Sequence, residues 1–279
     1  MTMAVEDISP RIAGEYLLHN DKNRSIRTHH LRHLARQMSE GLWVYNADPI
    51  RFNGKTLIDG QHRLMAVVDT GRTIKMLVVR GLSDEAQLTI DSGRNRSNAD
   101  TLSMRGHTYA HTAAGTLRLV DAYVNGRMNT LSHYRVSNAE ILLIERRHPL
   151  AMGASQYVVQ NMPAGWGYRT VPALVYYVAG FVDEDARETF FTQVFHGVGI
   201  DSKNEPSWLL RQRLEKHARG DHRLGQRAQL GIYIRAWNHF ISGNKLGLLK
   251  YSVKHPLPNF EPLPKGLPDF RGHEKANRP

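Results

Sequence analysis

The sequence predicts an α+β protein in which a small mixed α/β domain is followed by an all-helical domain. Two observations lead to this fold class. Short apolar segments alternate with helical patterns in the N-terminal third. Beyond Gly106 the apolar spacing is helical almost throughout, until a proline-rich end. We therefore predict domains at residues 1–106 and 107–250, followed by a Pro-rich extended tail over 251–279.

The first domain shows alternating helix and strand patterns. Its predicted elements are helices at Pro10–Leu18 and Thr28–Gly41, strands at Pro49–Phe52, Thr56–Ile58 and Ile74–Val79, and a helix that opens at Asp59. Asn53-Gly54 is a tight-turn signal between the first two strands. Ser83 is a candidate cap for a further short helix.

The second domain is predicted to be helical. Its predicted helices are Thr108–Asn125, Asn138–Arg147, Pro172–Phe181, Glu184–His196, Ser207–Arg219 and Arg223–Ser242. Capping boxes are predicted at Ser97-x-x-Asp100 and Ser137-x-x-Glu140, because each pairs a serine with an acidic residue three positions later.

The composition resembles that of ordinary globular proteins, with 41% hydrophobic and 23% charged residues. No apolar run approaches the ~20 residues of a membrane helix. The N-terminus lacks the features of a secretory signal, and zero cysteines exclude disulfide and thiolate chemistry. We therefore expect a cytoplasmic protein without a membrane partner.

The charge is strongly basic, with a net value of +11. The segment through Gly106 carries 15 basic and 12 acidic residues, whereas the remainder carries 22 and 14. A basic helical domain is typical of proteins that bind DNA or RNA, although many basic proteins bind neither. We expect a DNA partner.

The segment Asp59-Gly60-Gln61-His62-Arg63 connects a strand to the first turn of a helix. The first amides of a helix lack internal partners, so an anion is stabilised there. Gly60 and the amides of Gln61 and His62 would hold a phosphate, and Arg63 could bind two of its oxygens. The segment therefore predicts a phosphate site.

A second loop, Asp91–Ser97, also precedes a helix start. Arg94 and Arg96 could close the phosphate pocket from the other side, and Ser97 adds a hydroxyl. Asp91 and Asp59 are candidate metal contacts. The alternative is an ordinary turn with solvated arginines.

Gly41, Pro49-Ile50 and the DGQHR segment, followed by a strand and a basic loop, resemble the ParB/sulfiredoxin-like superfamily over roughly residues 22–100. Within it, the chain resembles the subgroup with a DGQHR-type motif, the ParB-like nuclease domains of phages and bacteria. The resemblance implies a compact α/β domain that holds a nucleoside di- or triphosphate. We expect ATP/ADP or CTP as the nucleotide, together with Mg²⁺, and a homodimer is a candidate assembly.

The resemblance does not settle the activity. In partition proteins of the superfamily the matching segment carries an acidic residue and two arginines and binds CTP, whereas here Gln61 and His62 replace the acidic residue and the first arginine. Sulfiredoxin chemistry is excluded because there is no cysteine. Free serine kinases hold ADP with a similar box, so phosphoryl transfer is an alternative, as is phosphodiester cleavage.

Three side chains are candidate catalytic groups. His62 could donate to a phosphate oxygen or move a proton, since histidine titrates near neutrality. Asp59 could hold a metal-bound water or orient His62, or it could be only a helix N-terminal carboxylate. In a kinase of this type Asp48 would lie where a general base is needed, or it could be a solvated turn residue.

Two C-terminal helices carry a cluster of basic residues. The candidate nucleic-acid contacts are Arg211, Arg213, Lys216, Arg219, Arg223 and Arg227. Aromatic residues, including Tyr233 and Trp237, lie between or near them, as in many proteins that bind DNA or RNA. Alternatively, the basic residues form a solvated helix face and the aromatic residues belong to the core. A DNA-binding module without nucleotide use is thus a further alternative.

Overall fold

The computed structural model describes residues 1–20, 23, 25–83, 96–131 and 134–268. The chain divides into two compact units, Met1–Asn95 and Arg96–Pro279. The first unit contains the strands and the second is helical in its described part, so the predicted α+β class is confirmed. The helix predicted after Ser83, together with Asp91 and Arg94, lies outside the described residues.

The first unit is a mixed sheet with helices packed against it. Its described strands are β1 (Thr2–Ile8), β2 (Ile50–Asn53), β3 (Thr56–Asp59) and β4 (Ile74–Arg80), and its described helices are α1 (Pro10–Leu17), α2 (Thr28–Ser39) and α3 (Gln61–Thr70). The strand order is β1-β4-β2-β3. β4 is antiparallel to β1 and parallel to β2, and β2 and β3 form an antiparallel hairpin.

One face of this sheet is buried under α1–α3. Side chains that alternate along β4, Ile74, Met76 and Val78, lie in the same core as Met38 of α2 and Leu64 of α3. This alternation follows from the two-residue period of a strand. Because β3 ends at Asp59 and α3 begins at Gln61, the start of α3 lies directly after a strand of this sheet. The strands and helices predicted in this region are confirmed to within a few residues.

The sequence did not predict β1. Met3 and Val5 are 65% and 54% exposed, so the strand lacks the buried alternating pattern that identifies a strand locally. β1 pairs with β4, from Thr2 opposite Arg80 to Ile8 opposite Ile74. Because its partner lies about seventy residues away, pairing rather than local pattern defines this strand.

The second unit is built from helices. Those described are α4 (Asn98–Ser103), α5 (Ala110–Val124), α6 (Asn138–Arg147), α7 (Leu150–Asn161), α8 (Thr170–Ala179), α9 (Glu184–His196), α10 (Pro206–Arg219) and α11 (Gln226–Ile241), with a short 3₁₀ turn at Met128–Thr130. Both predicted capping boxes are confirmed, at Ser97/Asp100 and Ser137/Glu140. Leu102 of α4 belongs to the helical core, and the units divide ahead of the boundary expected after Gly106.

Helix α7 was not predicted, because His148-Pro149 reads as a stop signal. Pro149 instead occupies the N-cap of α7. Proline is tolerated at a helix start, where its missing N–H would have no intrahelical partner. The same residue pair therefore ends one helix and begins the next.

The Pro-rich segment is part of the second unit through residue 268. Phe260 is fully buried in the helical core and stacks edge-on against Tyr123 at 5.5 Å. The side chain of Asn238 binds this segment twice, donating to the carbonyl of Asn259 at 2.8 Å and accepting from the N–H of Glu261 at 3.1 Å. Through residue 268 this segment therefore packs against the helices of the second unit.

Candidate functional site

The DGQHR segment forms a tight turn from β3 into α3. Gly60 is the N-cap of α3 and has φ +104°, a conformation that side chains other than glycine rarely adopt. A Cβ at this position would lie 2.4 Å from Cδ1 of Ile50. The glycine is therefore needed both for its backbone angle and for the close approach of β2.

Arg63 points from the first turn of α3 into a set of oxygen atoms. Its Nη1 donates to the carbonyl of Asp48 at 2.5 Å, and its Nη2 donates to the carbonyl of Pro49 at 2.9 Å. Two carboxylates complete the set: Asp48 Oδ2 lies 3.1 Å from Nη1, and Asp59 Oδ2 lies 3.1 Å from Nη2. With a side chain only 10% exposed, Arg63 joins α3 to the segment before β2.

Arg51 extends this arrangement into a four-charge cluster. It donates to Asp59 Oδ2, directly across the β2–β3 hairpin, and its Nη2 lies 3.9 Å from Asp48 Oδ1. The cluster of Asp48, Arg51, Asp59 and Arg63 is electrically balanced. The Asp59 side chain is 19% exposed, whereas that of Asp48 is 53% exposed. Asp48 is therefore the most accessible carboxylate of the cluster.

The backbone before Asp48 is tightly turned. Asn46 Oδ1 accepts the N–H of Asp48 at 3.0 Å, and Ala47 has φ +58°. A left-handed conformation costs an L-residue about 1–2 kcal/mol. The contacts of Asp48 with Arg63 offset this cost, so the loop and the cluster hold each other in place.

Gln61 and His62 face the loop between α1 and α2. Nε2 of His62 accepts the backbone N–H of Arg27 at 3.0 Å, next to the start of α2. Because that nitrogen accepts, the ring of His62 in this arrangement is neutral with its proton on Nδ1. Oε1 of Gln61 accepts from Asn20 at 3.1 Å. Both side chains are nearly buried, with 5% and 6% of their surface exposed.

Asn20 also connects to Asn23, which reaches the sheet. Asn23 Nδ2 lies 2.6 Å from Asn20 Oδ1 and 2.7 Å from the carbonyl of Leu57 in β3. A chain of amide groups therefore runs from the α1–α2 loop to the start of α3. The sequence indicated no role for this loop.

The structure brings the predicted residues from Asp48 to Arg63 together in one place. Arg96 and Ser97 belong to the second unit, where Ser97 caps α4 by accepting the N–H of Asp100 at 3.1 Å. The carbonyl of Arg96 accepts from Asn138 of α6 at 3.0 Å. In these contacts Ser97 acts as a helix cap.

The predicted nucleic-acid contacts divide into two groups. Arg211 donates from Nη1 to the carbonyls of Val194 and Phe195, each at 3.0 Å, and its Nε lies 3.0 Å from Oε1 of Glu215. It thus caps the last turn of α9, where a positive charge is stabilised. Arg227 donates to Asn129 and to the carbonyl of His255. Arg213 is half-buried, with its Nε shielded from solvent.

The other three predicted contacts are exposed in the last turn of α10 and in the segment just after it, which together are called the basic end of α10. They are Lys216, Arg219 and Arg223. Within the described chain, none of their side chains makes an ion pair or a hydrogen bond. The aromatic residues Tyr233 and Trp237 are fully buried, as expected if they belong to the core.

No group of three or more His, Asp or Glu side chains that could hold a metal ion occurs among the described residues. Asp59, the described candidate of the predicted pair, already accepts from two guanidinium groups. A cation at that oxygen would have to compete with both arginines. None of the helices in the described ranges has the length and apolarity needed to cross a bilayer.

Sequence reasoning missed Arg51, Asn20 and Asn23. A signal for Arg51 was present: it alternates with Ile50 and Phe52 in a strand followed by a two-residue turn, which places it opposite Asp59 in a hairpin. No local signal identified the two asparagines, because the partners that give them a role, Gln61 and the carbonyl of Leu57, are distant in sequence.

Comparisons of the chain with protein-family models, with curated proteins and with solved structures gave no match.

Proposed function

We propose that the protein binds the phosphates of a nucleotide at the start of α3, on a ParB/sulfiredoxin-like fold, and associates with DNA through its helical unit. The observation that carries the nucleotide proposal is the pairing of Arg63, nearly buried at a glycine-capped helix start, with the half-exposed carboxylate of Asp48. In this proposal Asp48 occupies the place that a phosphate takes when nucleotide binds.

Exchange of Asp48 for a phosphate would leave Arg63 paired with an anion. The Asp48 carboxylate is 53% exposed and would return to water, while the phosphate would take its place beside a guanidinium that is only 10% exposed. A phosphate would face both the guanidinium and the positive end of α3. Asp59, at 19% exposure and bonded to two arginines, would remain in place.

The contacts of His62 favour binding over catalysis. Its Nε2 accepts the N–H of Arg27, so proton transfer through that nitrogen would require α2 and α3 to separate locally. A kinase or nuclease that used Asp48, Asp59 and His62 would need the four-charge cluster to open as well. A binding role requires only the release of Asp48.

The DNA proposal depends on Lys216, Arg219 and Arg223. Their exposure and their lack of ion pairs within the described chain leave them available for DNA phosphates. The alternative is that they stabilise the carboxyl end of α10, where basic side chains are favoured. The salt dependence of the affinity for DNA separates these possibilities, because only contacts with DNA phosphates release counterions.

Calorimetric titration with ATP, ADP, CTP and GTP in the presence of Mg²⁺ tests the nucleotide proposal. We expect one of them to bind, and Asp48→Asn to tighten binding about two- to fivefold by removing the competing charge. Asp69→Asn is the matched control, because Asp69 is an exposed carboxylate in the last turn of α3 and its loss should leave affinity unchanged.

Two outcomes contradict the proposal. The first is no binding of any of the four nucleotides to either the intact chain or the Asp48→Asn variant. The second is tighter binding in Asp69→Asn to the same extent as in Asp48→Asn, which would indicate a general charge effect rather than competition at Arg63.

A further inference from the structure

A cleft of about 510 Å³ lies at the other end of α3, between the end of α2 and the start of β4. Helix α3 has ten residues and is therefore about 15 Å long, so the cleft is well separated from Gly60. Met38 and Ile74, which are 2% and 9% exposed, form its apolar floor. Its walls combine aromatic and basic side chains.

The aromatic wall consists of Trp43 and Tyr45. The indole Nε1 of Trp43 is shielded from solvent and has no acceptor in the described chain. Tyr45 is 43% exposed, which makes it the more accessible ring for a planar ligand. Aromatic rings at the edge of an apolar floor are suitable for stacking with a nucleobase.

The basic wall consists of Arg72 and Lys75, both exposed. Neither makes an ion pair among the described residues, although Asp7 lies opposite Lys75 in the sheet. The described residues that line the cleft include no acidic side chain. The cleft therefore has two positive charges without a partner in the described chain.

The carboxyl ends of α2 and α3 lie near the cleft, and the negative ends of their helix dipoles disfavour an anion there. Each contributes at most about half a negative charge, and the effect is confined to the last turn. In α3 the N–H of Gly71 already binds the carbonyls of Val67 and Val68. Two full positive charges outweigh these partial charges, so the cleft remains favourable for phosphate groups.

We propose that this cleft binds single-stranded nucleic acid, with a base stacked on Tyr45 and the adjoining phosphates on Arg72 and Lys75. Stacking needs an unpaired base, because the faces of bases in a duplex are already covered by their neighbours. The chemistry that the cleft recognises is an aromatic base next to a phosphate. This proposal is independent of the nucleotide site at Gly60 and of the basic end of α10.

Fluorescence anisotropy with a labelled oligothymidylate of about ten nucleotides tests the proposal on the full chain. Tyr45→Ala should weaken binding about five- to 150-fold, the range expected when one base loses an aromatic partner. Tyr45→Phe should bind like the intact chain, since stacking does not need the hydroxyl. Loss of both cations, by Arg72→Gln and Lys75→Gln, should lower the slope of log affinity against log salt by about 1.4.

Lys55→Gln is the matched control for charge. Lys55 is exposed in the β2–β3 turn, at the opposite end of β4 from the cleft, and its loss should change neither affinity nor slope. The proposal is overturned if Tyr45→Ala binds as tightly as Tyr45→Phe, or if Lys55→Gln weakens binding as much as the paired variant. It is also overturned if a duplex competes as well as the single strand, or if thymidine monophosphate occupies the cleft as tightly as the oligomer.

Discussion

Arginine has different roles at the start of α3 and at the end of α10. Arg63 and Arg219 both belong to sequence patterns that predict anion binding. Arg63 is 10% exposed and surrounded by carboxylates and carbonyls, whereas Arg219 is exposed without a side-chain partner in the described chain. A buried charge needs a partner, whereas an exposed charge is solvated by water. Arg63 is therefore bonded within the protein, and Arg219 can remain exposed to water.

The largest expected effect concerns removal of the buried charge. Arg63→Met should lower the free energy of unfolding by about 3 kcal/mol, because Asp59 loses one of its two cations and the carbonyls of Asp48 and Pro49 lose their donor. Arg219→Met should change it by less than about 0.5 kcal/mol. Chemical denaturation of both variants tests this. An equal loss of unfolding free energy in the two variants would mean that the burial of Arg63 does not make it more important for stability than Arg219.

Gly60→Ala should lower the free energy of unfolding by about 2–3 kcal/mol. The alanine would combine a left-handed backbone with a methyl group 2.4 Å from Ile50. Gly54→Ala provides the control, since Gly54 also has positive φ, at +55°, but a Cβ there meets nothing within 4 Å. Its expected cost is about 1 kcal/mol. A similar loss in both variants would show that the close approach of β2 is unimportant.

Removing the exposed charges at the basic end of α10 should weaken DNA binding and leave the free energy of unfolding almost unchanged. Changing Lys216, Arg219 and Arg223 together to Gln should lower the slope of log affinity for duplex DNA against log salt by about 2.7, which corresponds to three lost phosphate contacts. Arg227→Gln is the control, because Arg227 is bonded to Asn129 and His255. An unchanged slope in the triple variant would refute the DNA proposal.

The smallest expected effect is on the pH dependence of stability, and it concerns the ion pair between Glu6 and Arg80. Their side chains are 26% and 36% exposed. Burial opposes ionisation of Glu6, but hydrogen bonds from Arg80 and Tyr16 outweigh it and lower the pKa of Glu6 below its usual 4.5. The ionised carboxylate therefore stabilises the fold above pH 4.5, and this contribution is lost as the pH falls through the lowered pKa.

Unfolding measured between about pH 3 and pH 7 tests this expectation. The intact chain should lose stability toward acid by an amount below about 1 kcal/mol at this site, and Glu6→Gln should remove that part of the pH dependence. An identical pH profile in the two proteins would show that Glu6 is not ionised in its contact with Arg80 and Tyr16.

Much of the fold was predictable, because the helices and most strands depend on local patterns. The Asn53-Gly54 turn, the buried residues of β4 and both serine caps were all recognised in this way. β1 and α7 were not. β1 depends on pairing with a distant strand, and α7 begins at a proline that also signals the end of a helix.

The candidate site was predictable in its residues but not in their partners. The sequence by itself determined that a glycine and an arginine would lie on the first turn of α3, because strand, turn and helix signals follow one another there. Only the tertiary structure decided that Arg63 would meet Asp48 and Asp59, and that His62 would accept the N–H of Arg27. The physical reason is that a buried polar group must find a partner, and folding brings that partner from elsewhere in the chain.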